Sequence, residues 1–108
     1  MQAMEILTKL FGSAAKVKLM RLFLFNPDSA YFITEIVERS RMPRAEVKKE
    51  LNGLMNIGIV KHKPTSKDIS AKKGKKTIMK KVQDTGYYLD SRFPYMQALK
   101  NLLITVSL

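Results

Sequence analysis

Cysteine is absent from the 108-residue chain, and histidine occurs once, at His62. Without cysteine the chain can form neither a disulfide nor a thiolate metal site, and it has no thiol nucleophile. A single histidine lacks the partners that a catalytic site or a zinc site needs. We therefore expect no catalytic residue, no metal site and no cofactor. The absence of cysteine also fits the reducing cytoplasm.

Long hydrophobic runs are missing as well. No window approaches the ~20 apolar residues that span a bilayer, and the N-terminus has no basic region before a long apolar run, so we expect neither a membrane span nor a signal peptide. The longest apolar cluster, Leu22-Phe23-Leu24-Phe25, is predicted to be buried core. A length of 108 residues suits one domain, 1–108, with a modest core.

Acidic residues are scarce, at nine against 20 lysines and arginines, which gives a formal charge of +11. This balance predicts an anionic partner, with nucleic acid first and an anionic membrane surface second. Most of the charge lies in residues 61–81, which hold nine lysines, one acid (Asp68) and no arginine, a formal +8. The segment is not an amphipathic helix, which weakens the membrane interpretation. The plainer alternative is a solvated loop that keeps the protein soluble.

The N-terminal third predicts two helices. Apolar spacing indicates one helix over residues 3–11 and a second, more apolar one over 14–25. Gly12 would end the first helix and Ser13 would be the N-cap of the second. Pro27 would end the second helix, because it disfavours helical geometry in the residue before it.

The next segment predicts a short strand and two short helices. Residues 31–33 are β-prone, and Thr34 is a suitable N-cap for a helix over 35–40. Residues 41–42 would make the turn, and Pro43 would occupy the first position of a helix over 43–56, where its missing N–H costs nothing.

The helix over 43–56 has two distinct faces. Val47, Leu51 and Leu54 define a buried stripe, and Gly58 would end the helix. The opposite face and its flank carry basic, amide and small residues that could reach base edges or phosphates. These candidate contacts are Arg44, Ala45, Lys48, Lys49, Asn52 and Asn56.

The basic segment predicts a hairpin. Residues 59–63 alternate as a strand, whereas 64–75 are rich in turn-forming residues and are predicted to be a loop. Residues 77–82 would return as a strand, 83–86 would form a turn or bulge, and 87–89 would be a third strand segment or a continuation of the second.

The chain closes with a predicted helix over 94–106, capped by Asp90 or Ser91. Its apolar face and that of the N-terminal helix together exceed what a monomer of this size needs to bury. We therefore expect a homodimer that forms through the two terminal helices. The alternative is that both helices wrap a single core.

The element order is α-α-β-α-α-β-β-α in one α+β domain. With Leu10-Phe11-Gly12-Ser13, Lys18 to Phe23, Glu35-Ile36-Val37, Gly58-Ile59-Val60 and Tyr88-Leu89, it resembles the small single-domain winged helix-turn-helix transcriptional regulators of bacteria and archaea related to the MarR and ArsR types. The resemblance runs from about residue 7 to 104 and rests mainly on core positions.

The resemblance implies a cytoplasmic, usually homodimeric protein that binds double-stranded DNA. The helix-turn-helix would span 34–58, with the helix 43–56 as the recognition helix in the major groove, and the wing would span 59–89. The absence of arginine from the wing favours phosphate contact over minor-groove readout. The phosphate-contacting lysines would be Lys61, Lys63, Lys67, Lys72, Lys73, Lys75 and Lys76.

Other classes of function stay open on the sequence alone. One is a protein-interaction module whose basic wing meets an acidic partner, and another is an RNA or single-strand binder in which Tyr87 and Tyr88 stack on bases. An enzyme is not expected. Phe11-Gly12-Ser13 is similar to the start of a nucleotidyltransferase motif, but no pair of metal-binding aspartates follows it.

Overall fold

Residues 3–105 are described by a computed structural model. Within them the chain folds as α+β, with five α-helices beside a three-stranded antiparallel sheet of order β1-β3-β2, so the α+β part of the prediction is confirmed. The helices are α1 (Ala3–Phe11), α2 (Ala14–Phe25), α3 (Ile33–Ser40), α4 (Arg44–Asn56) and α5 (Met96–Lys100), the last continuing as a π-helical turn, Asn101–Thr105. The strands are β1 (Tyr31–Phe32), β2 (Val60–Lys73) and β3 (Lys76–Leu89).

The junction of α1 and α2 follows the sequence prediction. Gly12 ends α1 with a φ of +79°, in the left-handed region that glycine adopts without steric cost. Ser13 is the N-cap of α2, and its Oγ accepts the backbone N–H of Lys16 at 3.1 Å. The same hydroxyl donates to Oε1 of Glu50, a buried residue of α4, at 3.3 Å. This hydrogen bond joins the N-terminus of α2 to α4.

The core forms where α2, α3 and α4 meet the base of the sheet. Phe23, Ile36 and Val47 are fully buried there, and the predicted stripe of α4 is buried as expected. The apolar cluster 22–25 is an exception at Phe25, whose side chain is 53% exposed. The prediction was wrong for this residue because it is the last residue of α2, and its ring is covered on one side only, by Arg21 at 5.7 Å.

Two predicted helix starts are wrong. Helix α3 begins at Ile33 rather than at residue 35, so Thr34 lies in the first turn and is not the N-cap. The N-cap is Phe32, whose backbone N–H donates to Oε1 of Glu35 at 2.9 Å. Phe32 has no side-chain acceptor, so only this half of a capping box forms. Pro43 is likewise the N-cap of α4 and not its first helical residue.

The predicted loop over 64–75 is also wrong, as is the turn over 83–86. Strands β2 and β3 pair without interruption from Val60 opposite Leu89 to Lys73 opposite Lys76. A two-residue turn, Gly74-Lys75, joins them, with Gly74 at a φ of +66° as the first position of a type II′ turn prefers. Strand β2 is an edge strand, and an edge tolerates a proline such as Pro64.

The C-terminal helix is shorter than predicted. Helix α5 begins at Met96 after an N-cap at Tyr95 that makes no side-chain hydrogen bond, so neither Asp90 nor Ser91 caps it. Oδ1 of Asp90 instead accepts the backbone N–H of Arg92 at 3.0 Å in the turn that precedes the helix. Residue 106 of the predicted helix lies outside the described residues. Every helix within 3–105 is too short or too polar to span a membrane.

Candidate nucleic-acid interface

Helices α3 and α4 form a tight pair joined by three residues. Arg41 ends α3 in the left-handed region, at a φ of 58°, and its backbone N–H donates to the carbonyl of Val37 at 2.9 Å. Met42 is buried in the turn. Because Ile36 and Val47 are fully buried between the two helices and α2, the direction of α4 is fixed by packing.

The outer face of α4 presents all the polar residues that the sequence predicted there. At about 100° per residue they cover one continuous arc of about 140°. The arc carries three positive charges and no acid, and Glu46 lies about 60° beyond Lys49, at its edge. The exposed residues of the arc are Arg44, Ala45, Lys48, Lys49, Asn52 and Asn56. These side chains could donate to base edges and phosphates.

The lysines at the base of the hairpin have partners within the protein. Nζ of Lys61 lies 3.2 Å from Oδ2 of Asp90, and Nζ of Lys63 lies 4.8 Å from the centre of the Tyr88 ring. The backbone N–H of Arg92, together with Lys61 and against the effect of desolvation, lowers the pKa of the Asp90 carboxyl. Lys61 thus has an ion-pair partner within the protein, which it shares with Arg92.

Lys67 fastens the hairpin to α3. Its Nζ lies 2.8 Å from Oε1 of Glu35, and it also lies 5.4 Å and 5.2 Å from the ring centres of Tyr31 and Phe32. Burial acts to raise the pKa of the Glu35 carboxyl, but hydrogen bonds from Lys67 and from the Phe32 N–H, with the charges of Lys67 and Arg39, outweigh it and lower that pKa. Lys67 therefore belongs to a contact between the sheet and α3, whereas the sequence suggested a free phosphate-binding side chain.

We call residues 68–81 the distal hairpin. Lys67 and Glu35 form the ion pair between hairpin and helix that lies farthest toward the turn in the described part of the chain. Beyond it, six residues of β2 reach to Lys73, about 20 Å of strand. The distal hairpin carries six exposed lysines and one acid, Asp68, a formal +5. Its lysines are Lys72, Lys73, Lys75, Lys76, Lys80 and Lys81.

Two of these lysines, Lys80 and Lys81, were not among the predicted contacts. Lys80 lies opposite Ile69 in the register, and Lys81 lies opposite Asp68. In residues 65–71 every second side chain is polar and exposed, which is the alternation typical of a strand. This alternation could have predicted a longer hairpin that includes Lys80 and Lys81. It was masked by the serines and the proline, which favour turns.

A separate apolar groove lies between the terminal helices. It has a volume of about 470 Å³ and is lined by side chains of α1, α2, the end of α4 and the segment leading into α5. Leu10, Ile57 and Tyr95 in its wall are each more than half exposed. Among residues 3–105, histidine and carboxylate side chains form no cluster able to hold a metal ion.

Comparison of the chain with protein-family models, with curated proteins and with solved structures finds no significant match. The assignment of a function therefore rests on the residues and the geometry given above.

Proposed function

We propose that the protein is a winged helix-turn-helix DNA-binding protein that regulates transcription in the cytoplasm. Helix α4 lies in the major groove as the recognition helix, and the β2–β3 hairpin acts as a wing on the phosphate backbone. This role is one of binding, and it involves no catalytic step.

The observation that carries this proposal is the pairing of two basic surfaces of different kind. One is the acid-free arc of α4, which stands on a rigid core and combines asparagine with cationic side chains, the groups that read base edges. The other is the distal hairpin, whose exposed lysines include side chains suited to phosphate contact. A protein with both surfaces can combine specificity with affinity.

A salt series on random-sequence duplex tests the electrostatic half. If the hairpin neutralises ~4–5 phosphates, the logarithm of the binding constant should fall against the logarithm of salt concentration with a slope near −4. Replacement of Lys73, Lys75, Lys76 and Lys80 by glutamine should flatten the slope. A chain that binds no duplex at low salt would refute the proposal and favour a protein partner, and a preference for RNA or single strands would favour the other alternative.

In-vitro selection from a random duplex pool tests the recognition helix. Lys49→Gln with Asn52→Ala should weaken the preference among sequences more than the overall affinity. Glu46→Gln is the matched control, because Glu46 is exposed on the same helix but outside the arc. The assignment of α4 fails if the control and the double variant change the selected sequences equally.

We further propose that the protein binds DNA as a homodimer through the apolar groove. Leu10 of α1 is 64% exposed and Tyr95 is 67% exposed, and both line the groove. A second copy would cover this surface, and a two-fold dimer would place two copies of α4 on half-sites about one helical turn apart. A light-scattering mass of one chain at micromolar concentration, with or without duplex, would refute the dimer.

A further inference from the structure

The distal hairpin has two faces of different character. Alternate side chains of a strand point to opposite faces, and cross-strand partners share a face. The register pairs Ala71 with Ile78 and Ile69 with Lys80. We call the face with these residues the isoleucine face, and it comprises Ile69, Ala71, Lys73, Lys76, Ile78 and Lys80, with Val82 next in line. The opposite face, the serine face, comprises Asp68, Ser70, Lys72, Thr77, Met79 and Lys81.

The isoleucine face has an apolar centre and a basic border. Ile78 is 41% exposed, and Ile69, Ala71 and Val82 are partly exposed beside it. In the register, Ile69 and Ala71 of one strand lie next to Ile78 of the other, so the apolar side chains form one patch. An exposed apolar patch ringed by cations is typical of a contact surface and unusual for a loop that serves only solubility.

The charge of the two faces also differs. Three lysines, Lys73, Lys76 and Lys80, lie on the isoleucine face of the distal hairpin with no acid among them. Nearer the core, Asp84 lies on the same face, and Glu35 of α3 pairs there with Lys67, two residues before Ile69. The serine face has two lysines, and Asp68 lies directly opposite one of them, Lys81. The isoleucine face, which holds more apolar side chains, is therefore also the more positive one, whereas the serine face holds one exposed apolar side chain, Met79.

We propose that the isoleucine face is the surface of the wing that contacts duplex DNA. Lys76 and Lys80 are four residues apart on one strand, about 13 Å, which is close to the ~12 Å width of the major groove. With the ribbon across the groove, Lys73 and Lys76 reach one phosphate row and Lys80 reaches the other. The isoleucines then lie over the groove, where the thymine methyl group is the apolar feature presented. This inference deepens the proposed function and rests on it.

A duplex fits this face better than the other candidate occupants. If two copies packed with their isoleucine faces together, three lysines would oppose three at a sheet spacing of ~10 Å, without an acid between them. A lipid surface would take up the most exposed apolar side chains, and the most exposed one of the hairpin, Met79, lies on the serine face. Complementary charge and the apolar centre together suit a nucleic-acid groove.

Two double variants with the same loss of charge test the proposal. Lys73→Gln with Lys80→Gln removes two charges from the isoleucine face, whereas Lys72→Gln with Lys81→Gln removes two from the serine face at neighbouring positions of the same strands. On random duplex, the first pair should reduce the magnitude of the salt slope by about 1.8, and the second should change it by less than about 0.5. Equal losses would overturn the proposal.

A second pair of variants tests the apolar centre. Ile78→Thr should weaken duplex binding about fivefold, as expected for losing one buried apolar contact of ~1 kcal/mol, whereas Met79→Thr on the serine face should leave the affinity within twofold. Threonine favours strands, so both variants retain the hairpin. Circular dichroism of each variant checks this.

Three further outcomes each have one meaning. If the wild-type protein binds no duplex, the proposed function fails. If it binds duplex but the two lysine pairs are equivalent, only the assignment of the face fails. If it binds vesicles of phosphatidylserine and phosphatidylcholine more tightly than duplex, or if Ile78→Thr dissociates a dimer in sedimentation, then lipid or a second copy is the occupant and the proposal is overturned.

Discussion

The contact between Glu35 and Lys67 should make the stability of the protein depend on pH in a specific way. One carboxylate oxygen of Glu35 accepts both Nζ of Lys67, at 2.8 Å, and the backbone N–H of Phe32, at 2.9 Å. Glu35→Gln keeps an acceptor for both donors and removes the charge. A hydrogen bond to a charged group contributes about 1 kcal/mol more than a neutral one. Both side chains are about three-quarters buried, so solvent screens this difference only in part. We expect Glu35→Gln to lower the free energy of unfolding by about 1 kcal/mol at pH 7.

The difference should vanish in acid. The folded-state pKa of Glu35 is lowered below its ordinary value of 4.5. The charge therefore stabilises the fold fully above that value, and the stabilisation is lost as the pH falls through the folded-state pKa. Urea unfolding followed by circular dichroism should separate the wild type from Glu35→Gln at pH 7 and bring the two closer together at acid pH. Glu38→Gln, an exposed position one turn along the same helix, is the matched control and should change little at either pH.

A difference that stays constant as the pH is lowered, or no difference at pH 7, would refute this account of the contact. The same variant also decides the role of Lys67 in DNA binding. If Lys67 contacts phosphate, removing the charge of Glu35 should strengthen binding, and Lys67→Met should reduce the salt slope by about 0.9. If Lys67 orients the wing, both variants should weaken binding by similar amounts and leave the slope nearly unchanged. The geometry favours the second result.

Other parts of the fold give further expectations. Arg41→Gly should raise the free energy of unfolding by about 0.5–1 kcal/mol in a urea titration, because Arg41 occupies the left-handed region at a φ of 58°; a loss of stability would contradict this. In Gly86→Ala the new Cβ would clash with Oγ1 of Thr65 and lie 2.8 Å from the Cβ of Thr65. It should therefore cost about 1–3 kcal/mol, and in a background of Thr65→Gly that cost should largely disappear. Deletion of residues 69–72 together with 77–80 keeps every remaining pair of the hairpin in register. In-vitro selection with that shortened chain should return the same sequence preference of α4 at a lower overall affinity, and loss of that preference would contradict the division of roles.

The helical part of the fold follows closely from the sequence because its signals are local. Gly12 and Ser13 stop one helix and cap the next through contacts within four residues, and the stripe of α4 is set by a 3.6-residue period. The start of α3 depends instead on Glu35, whose carboxylate accepts the backbone N–H of Phe32. A rule that considers only the side chain of the N-cap residue does not predict this start.

The hairpin was harder to predict because its strands are stabilised by pairing between residues that are distant in the sequence. Pro64, Ser66 and Ser70 are turn-forming residues, yet each lies in a strand because it has a cross-strand partner about 10 to 20 residues away. The ion pair of Lys67 with Glu35 joins residues 32 apart and exists only once the register is set. The outer arc of α4 could therefore be predicted residue by residue, whereas the partners of Lys61 and Lys67 could not.

The register changes what the nine lysines of residues 61–81 mean for binding. Lys61 and Lys67 are paired with Asp90 and Glu35, so they add little to the field that a phosphate meets. Of the remaining seven lysines, four lie on the isoleucine face or in the turn of the distal hairpin: Lys73, Lys75, Lys76 and Lys80. Lys63 lies on the same face nearer the core. Five available charges correspond to a contribution of about −4.5 to the salt slope, whereas nine would give about −8. A loop that serves only solubility would not be expected to concentrate its unpaired lysines on one face. A measured contribution to the salt slope near −4.5 therefore favours a β-ribbon that contacts DNA through one face.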